Sequence, residues 1–173
     1  AGTALVTIND NAFHATTNTA TIAATALSGI GNATTGTVTV SNAIKVEGTT
    51  TQLTEALVSG SKTVTAATAL VTVTDAAFHA TTNTATIAAT TLSDIGNATT
   101  GAVTVSKAIK VEGTVTQLTD ALVSGSKTVT AGTALVTITD DAFHATTNTA
   151  TIAATALSDI GNATTGAVTV SKA

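Results

Sequence analysis

The chain has 173 residues, a formal net charge of −4 and only 9% charged residues. Threonine and alanine supply nearly half of it, whereas proline, cysteine, methionine, tryptophan and tyrosine are absent. The few scattered lysines exclude the basic surface that nucleic-acid binding needs, and the lack of cysteine excludes disulfides and thiolate zinc sites. A mean hydropathy of +0.43 argues against intrinsic disorder. Such narrow residue usage is typical of repetitive structural proteins rather than of enzymes.

The dominant feature of the sequence is a repeat of 65 residues. Its copies begin with Thr-Ala-Leu-Val and cover residues 3–67, 68–132 and, as a partial third copy, 133–173. The first two copies differ at ten positions, and the third differs from the second at three. Self-similarity at a fixed period indicates a repeat architecture. We therefore predict that residues 1–173 form one continuous slice of a longer tandem array.

Most stretches within one period alternate apolar with polar residues, and many of these residues are β-branched. In chain order, the alternating stretches of the first copy are 4–8, 19–24, 37–41, 44–47 and 63–66. This period of two is the pattern of a half-buried strand. It predicts that one set of apolar residues faces inward: Ala20, Ile22, Val38, Val40, Ile44, Val46 and Val64. The threonines between them, together with Lys45 and Glu47, are predicted to face water.

Two short stretches break the alternation and predict helices of at most two turns each. The first places Leu27 and Ile30 three residues apart. In the second, Thr49 and Gln52 fit a capping box at the helix start. Gly60 then supplies a left-handed stop.

Together these elements predict a mainly β fold, a right-handed β-solenoid with short helical corners. A separate 65-residue bead would need its own core, yet the only aromatic residue of the first repeat is Phe13. Stacked coils bury their faces against neighbours, so small side chains suffice. Residues 70–78 resemble residues 102–110, which favours two coils of about 32 residues per repeat. Crossover chirality favours right-handed winding.

His14 recurs once in every repeat, close to Asp10. Strand spacing would place successive histidines about 10 Å apart in stacked coils, too far to share a metal ion. We expect an imidazole that is hydrogen-bonded at a strand end. Ser41 could complete a Ser-His-Asp set, but no Gly-x-Ser-x-Gly motif frames it. We therefore predict that the chain is not an enzyme and has no catalytic residue.

Asp94 is the candidate for a calcium ligand. Gly29 stands at the same place in the first repeat, so the fold does not need this carboxylate. No Asp-x-Asp-x-Asp-Gly loop is present either. We interpret Asp94 as a helix-end cap and predict no metal site and no cofactor.

Three Asn-Ala-Thr triplets are weak candidates for N-glycosylation, at Asn32, Asn97 and Asn162. Each triplet also follows a predicted helix end, where asparagine commonly terminates a helix and begins a turn. Both interpretations stay open, with the structural one favoured.

Exposed Thr-x-Thr rows suggest a second kind of function. Residues 17–21 and 37–41 carry hydroxyl side chains at every second position. A flat array of such hydroxyls could order water on ice or contact a glycan. Lys45 and Glu47 share the outward phase on a neighbouring strand and would interrupt a flat array.

Two longer phrases carry a resemblance to a known class of protein. Residues 92–106 contain Leu-Ser-Asp-Ile-Gly-Asn-Ala-Thr-Thr-Gly, and residues 109–122 begin with Ile-Lys-Val-Glu-Gly. They resemble the tandem repeats of giant Thr/Ala/Asp-rich bacterial surface proteins, notably cyanobacterial ones. The resemblance implies an extracellular, array-forming structural protein and implies no catalytic residue.

We therefore expect a structural repeat region of a secreted bacterial surface protein that stacks into a stalk, fibre or filament. Its expected partner is the chain itself, through head-to-tail contacts. The alternative is a binding module, an adhesin that uses the threonine face for ice or glycan. We expect no nucleic-acid partner, and no membrane span because polar residues interrupt every apolar run.

Overall fold

The structure is a computed structural model that describes residues 2–59, 64–125 and 129–172. Its strands are β1 (Val6–Ile8), β2 (Thr21–Ala23), β3 (Val38–Val40), β4 (Lys45–Gly48), β5 (Val64–Thr65), β6 (Leu70–Val73), β7 (Thr86–Ala88), β8 (Val103–Val105), β9 (Lys110–Gly113), β10 (Val129–Thr130), β11 (Leu135–Ile138) and β12 (Val168–Val170). Its helices are α1 (Ala24–Asn32), α2 (Thr50–Leu53), α3 (Ala89–Asn97), α4 (Val115–Thr119) and α5 (Ala154–Asn162). Helices α2 and α4 continue as the π-helical segments Thr54–Ser59 and Asp120–Ser124.

The fold is α/β, and the predicted mainly β, right-handed β-solenoid is wrong. The strands form three parallel sheets of three, five and four strands, with orders β1-β3-β5, β10-β8-β6-β4-β2 and β12-β11-β9-β7. Helices lie between the strands, and none of these sheets closes within the described residues. In the described part of the first repeat, helical residues outnumber strand residues. The alternating pattern overestimates the β content because threonine alternation continues into loops, whereas each paired strand has only two to four residues.

The spacing between paired strands also differs from the predicted 32-residue coil. Val6 pairs with Val38, 32 positions later, and the half-period resemblance reflects this pairing. Val38 then pairs with Val64, only 26 positions later. In the neighbouring sheet, Val46 pairs with Val71, 25 positions later. The hand of the connections stays a prediction.

The chain divides into two compact units, one of residues 1–75 with 94–104 and the other of residues 76–93 with 105–173. These boundaries do not coincide with those of the sequence repeats. Each unit contains strand pairs that join two successive repeats. In the first unit β4 pairs with β6, and in the second β9 pairs with β11.

The inward face of the strands agrees largely with the alternation. Buried members of the predicted set are Val38, Val40, Ile44, Val46 and Val64. Ile22 is half-buried, and Ala20 is exposed because it precedes β2 rather than lying in it. In the first unit, Leu27 of α1 and Leu53 of α2 are fully buried and complete the core. Alanine and branched aliphatic side chains thus make up this core.

The start of α2 follows local sequence rules. The Thr49 hydroxyl accepts a hydrogen bond from the Gln52 backbone N–H at 3.3 Å, and the Gln52 side chain accepts one from the Thr49 N–H at 2.9 Å. This reciprocal pair confirms the predicted capping box. Gly60, predicted as the stop of this helix, lies outside the described residues.

Candidate functional site

Four recurring side-chain contacts join neighbouring strands, helix ends or repeats. The first such contact joins the aromatic residue of a repeat to a lysine. The Lys45 ammonium lies 5.2 Å from the centre of the Phe13 ring, and Lys110 lies 5.3 Å from that of Phe78. These are cation–π distances. Lys45 was predicted to face water, but it is half-buried, and its ammonium lies over the ring.

A second contact joins outward side chains of paired strands. The hydroxyl of Thr21 donates a hydrogen bond to Glu47 at 3.0 Å, and that of Thr86 donates one to Glu112 at 2.9 Å. Cross-strand pairs of this kind fix register as well as adding stability. The glutamate of each Lys-Val-Glu-Gly strand thus accepts a hydrogen bond from the neighbouring strand.

A third contact links two successive repeats through a helix end. The carboxylate of Asp75 accepts hydrogen bonds from the backbone N–H of Thr50 at 2.6 Å and from its hydroxyl at 3.1 Å. In the second unit, Asp140 accepts one from the N–H of Val115 at 2.7 Å. An anion at a helix N-terminus satisfies an unpaired N–H and complements the helix dipole. In the sequence, this aspartate is distinguished only by its recurrence, because Asp10, Asp75 and Asp140 each stand four residues before a histidine.

A fourth contact is the Thr-Thr-Gly turn that follows each nine-residue helix. The buried hydroxyl of Thr34 donates to the carbonyl of Ala4 at 2.6 Å and accepts from the N–H of Gly36 at 2.9 Å. A Cβ on Gly36 would lie 2.2 Å from the Ala4 carbonyl oxygen. Only glycine therefore fits against this strand entry. The equivalent bonds, Thr99 to Ala69 and Thr164 to Ala134, are also 2.6 Å long.

The histidines organise local turns. Nδ1 of His14 accepts hydrogen bonds from the backbone N–H groups of Thr16 at 3.3 Å and Thr17 at 3.4 Å. The side chain is exposed, and its backbone bridges to Asn18. The hydroxyl of Ser41 instead donates to the carbonyl of Ile8 at 3.1 Å. His14 and Ser41 of the hypothetical Ser-His-Asp set thus make separate structural contacts.

The possible metal ligands of the described residues do not cluster either. Across residues 2–59, 64–125 and 129–172, no group of three His, Asp or Glu side chains could hold a metal ion. Asp94 is exposed and lies inside α3, three residues before its end, rather than at a helix start.

The three glycosylation candidates occupy equivalent places. Asn32, Asn97 and Asn162 are exposed last residues of α1, α3 and α5. The threonine of each triplet is the residue whose hydroxyl makes the fourth contact, and its relative exposure is 8% or less. In the folded chain the hydroxyl of each triplet is therefore committed to backbone carbonyls.

In the first unit, three exposed threonines of paired strands form a row. Thr7 pairs with Thr39, which pairs with Thr65, and all three are exposed on one face of β1-β3-β5. In the neighbouring sheet, Thr72 pairs with Glu47. The row is thus one threonine wide along each strand, and Thr17 lies in the His14 turn instead of a strand.

The third repeat exposes residues whose counterparts are covered. Phe143 is 60% exposed and Val170 is 47% exposed, whereas Val105 is 6% exposed. Phe143, Ile152 and Val170 line a groove of about 680 Å³. Ala154, the first residue of α5, is exposed as well.

An ion pair borders the groove. Nζ of Lys172 lies 2.9 Å from Oδ1 of Asp141, and this hydrogen bond, followed by the lysine charge, lowers the pKa of the Asp141 carboxyl. The Asp141 side chain is 83% exposed and the Lys172 side chain is 49% exposed. The pair therefore contributes little to stability.

Comparison of the chain with protein-family models, curated proteins and solved structures finds no match. Among the described residues, no helix is both long and apolar enough to cross a membrane.

Proposed function

We propose that this chain is a structural repeat element of a bacterial cell-surface protein, in which 65-residue repeats stack into a stalk or fibre. The observation that carries the proposal is that strands of successive repeats belong to the same sheets. β4 of the first repeat pairs with β6 of the second, and β9 of the second pairs with β11 of the third. Neighbouring repeats thus supply each other's hydrogen-bond partners.

The recurring side chains support a structural rather than an enzymatic role. Asp75 caps a helix of the preceding repeat, and the imidazole of His14 holds a turn. Glu47 binds the hydroxyl of Thr21. These aspartate, histidine and glutamate side chains are therefore engaged in contacts that hold strands, turns and helix ends.

The extracellular location rests on the resemblance to giant Thr/Ala/Asp-rich bacterial surface proteins. A chain without cysteine and with few charges agrees with such a role. Antibody labelling of intact and permeabilised source cells tests the location. Labelling that requires permeabilisation would contradict it.

A repeat series tests the structural role. We expect the melting temperature to rise from one repeat (3–67) to two (3–132) and to the whole chain, because each added repeat supplies strand partners to its neighbour. A single repeat lacks β6, the partner of β4, and Asp75, the cap of α2. Equal melting temperatures across the series would mean independent beads and would overturn the proposal.

The second candidate, binding of ice or glycan, draws on the exposed row Thr7, Thr39 and Thr65. Thermal hysteresis of the chain tests ice binding. Substitution of Thr39 by lysine should abolish any hysteresis, with Thr35→Lys as a control outside the row. Absence of hysteresis in the unmodified chain rejects the ice-binding form of this candidate.

A further inference from the structure

A groove of about 390 Å³ lies in the second unit, on the face of β11 that is opposite the buried Val136 and Ile138. Its volume falls within the range of small-molecule sites. We call it the Lys110 groove, and the residues that line it include Phe78, Lys110, Leu135, Thr137, Ala167 and Thr169.

One row of groove residues crosses three strands and is apolar except at one end. Lys110 of β9 pairs with Leu135 of β11. Ala167, one residue before β12, continues the register of the β11–β12 pair and stands beside Leu135. A strand spacing of about 4.8 Å makes this row about 10 Å long. The Lys110 ammonium, 5.3 Å from the centre of the Phe78 ring, is its charged end.

A second row presents hydroxyl groups. Thr137 pairs with Thr169, two positions further along the same strands and therefore on the same face. Glu112 of β9 pairs with Thr137 in this row. Its carboxylate accepts a hydrogen bond from Thr86 of β7, which lies on the side of β9 away from β11. The negative charge is thus held away from the groove, where Lys110 lies.

The charge of the groove is positive. Lys110 is the one charged side chain among the described residues that line it. Within residues 2–59, 64–125 and 129–172, Lys110 makes no ion pair. The groove therefore complements a ligand that has an apolar face, a hydroxyl edge and one carboxylate. A uronic acid in its pyranose form has all three.

We propose that the Lys110 groove binds a uronate sugar. The ammonium of Lys110 holds the carboxylate, and Leu135 contacts the C–H face of the ring. The hydroxyls of Thr137 and Thr169 bond those of the sugar. The inference goes beyond the proposed function, because it depends neither on the stacking of repeats nor on the exposed threonine row of the first unit.

The same arrangement recurs 65 positions earlier. Lys45 pairs with Leu70, and its ammonium lies 5.2 Å from the centre of the Phe13 ring. Thr104, the counterpart of Thr169, is exposed although β8 has a neighbouring strand on each side. The exposure of the hydroxyl row is thus a property of the repeat, and the first unit supplies a second copy of the arrangement.

NMR titration of the whole chain with trigalacturonate tests the proposal. We expect saturable shifts of the backbone amides of Leu135, Thr137 and Thr169. The neutral methyl ester of the same trisaccharide should bind at least about tenfold more weakly, because it cannot form the charged contact with Lys110. Octanoate keeps the carboxylate but lacks the hydroxyls, and it should also bind more weakly than trigalacturonate.

A lysine variant tests the charged end of the groove. Lys110→Gln should weaken trigalacturonate binding at the second-unit amides at least about tenfold, while the shift of Leu70 in the first unit persists. Lys110→Arg should retain binding. Lys107→Gln is the matched control, because Lys107 is exposed outside the groove and its loss changes the net charge equally.

A threonine variant tests the hydroxyl row and does not rely on the folding of Lys110→Gln. Thr169→Val keeps the shape of an exposed side chain and should weaken binding at least about threefold. Thr155→Val, in the exposed part of α5 outside the groove, should bind like the unmodified chain.

Four results would overturn the proposal. The first is absence of trigalacturonate binding, and the second is equal binding of the methyl ester. The third is an equal effect of Lys110→Gln and Lys107→Gln, which would indicate diffuse attraction to surface charge. The fourth is tighter binding of octanoate than of trigalacturonate, which would make the ligand an apolar carboxylate instead of a sugar.

Discussion

The carboxylate of Asp75 lies 2.6 Å from the backbone nitrogen of Thr50, although the two residues belong to different 65-residue repeats. Asp75 lies two residues after β6, the first strand of the second repeat, and caps α2, the second helix of the first repeat. A helix N-terminus has unpaired N–H groups, and here the next repeat supplies their acceptor. The stability of α2 thus depends on the presence of its neighbour.

Substitution of Asp75 by alanine should lower the free energy of unfolding by about 1 kcal/mol or more, because it removes a helix cap and a favourable dipole interaction. Asp140→Ala should cost less, since Val115 has no hydroxyl to donate the second hydrogen bond that Thr50 makes. Urea denaturation measures both. Asp94→Ala is the control, because Asp94 is exposed within α3. An equal loss there would contradict the capping role.

The strand phase makes a second prediction. Val38 is 1% exposed and Thr39 is exposed on the opposite face. Val38→Asp should destabilise by at least about 3 kcal/mol more than Thr39→Asp, because only the first substitution buries an unpaired charge. Thermal melts of the two variants compare them directly. Similar melting temperatures would contradict the assignment of Val38 to the buried face and Thr39 to the exposed face of β3.

Local rules accounted for those parts of the fold whose causes lie within a few residues. The burial of Val38 and Val46 follows from alternation, and the capping box of Thr49 and Gln52 follows from their spacing. The α/β class did not follow, because strand length depends on partners. Residues 151–153 demonstrate this, since they repeat the sequence of a strand without forming one.

The repeat contacts lay beyond sequence reasoning for the same reason. Asp75 reaches Thr50 across 25 residues, and Lys45 reaches Phe13 across 32. Alternation alone predicted that Lys45 would face water. Parallel pairing with unequal spacings of 32, 26 and 25 residues determines which side chains meet, and no local pattern encodes those spacings.

Two glycines should respond in opposite directions to alanine. A Cβ on Gly101 would lie 2.0 Å from the carbonyl oxygen of Ala69, whereas one on Gly29 in α1 would meet nothing within 4 Å. Gly101→Ala should therefore destabilise by about 1–3 kcal/mol through overpacking. Gly29→Ala should stabilise by about 0.5–1 kcal/mol, because alanine is the better helix former. Chemical denaturation of both variants gives the signs, and a neutral Gly101→Ala would contradict the close approach.

The Asp141–Lys172 pair predicts a measurable titration. Because the lysine lowers the pKa of the Asp141 carboxyl, the contribution of the pair to stability is present above the ordinary aspartate pKa. It is lost as the pH falls through the lowered value. Carboxyl NMR should show the pKa of Asp141 rising in Lys172→Gln and, in part, in high salt.

Lys107→Gln is the matched control for that titration. Lys107 aligns with Lys172 one repeat earlier, where Ala76 replaces Asp141. The control should leave the pKa of Asp141 unchanged. An unchanged pKa in Lys172→Gln would show that the ion pair does not persist in solution.

The last prediction separates two adjacent threonines with different burial. Thr99 is 4% exposed, and its hydroxyl donates to the Ala69 carbonyl at 2.6 Å while accepting from the Gly101 N–H at 3.0 Å. Thr99→Val keeps the shape but strands two backbone groups, which should cost about 1–3 kcal/mol. Thr100→Val is the control: its hydroxyl donates to the Ala67 carbonyl at 2.8 Å, but Thr100 is exposed, so water replaces the lost bond. Thermal melts should therefore rank Thr99→Val well below Thr100→Val, and hydrogen exchange at the Gly101 N–H should accelerate only in the first variant. Equal melting temperatures would mean that the Thr-Thr-Gly turn does not clamp the strand entry.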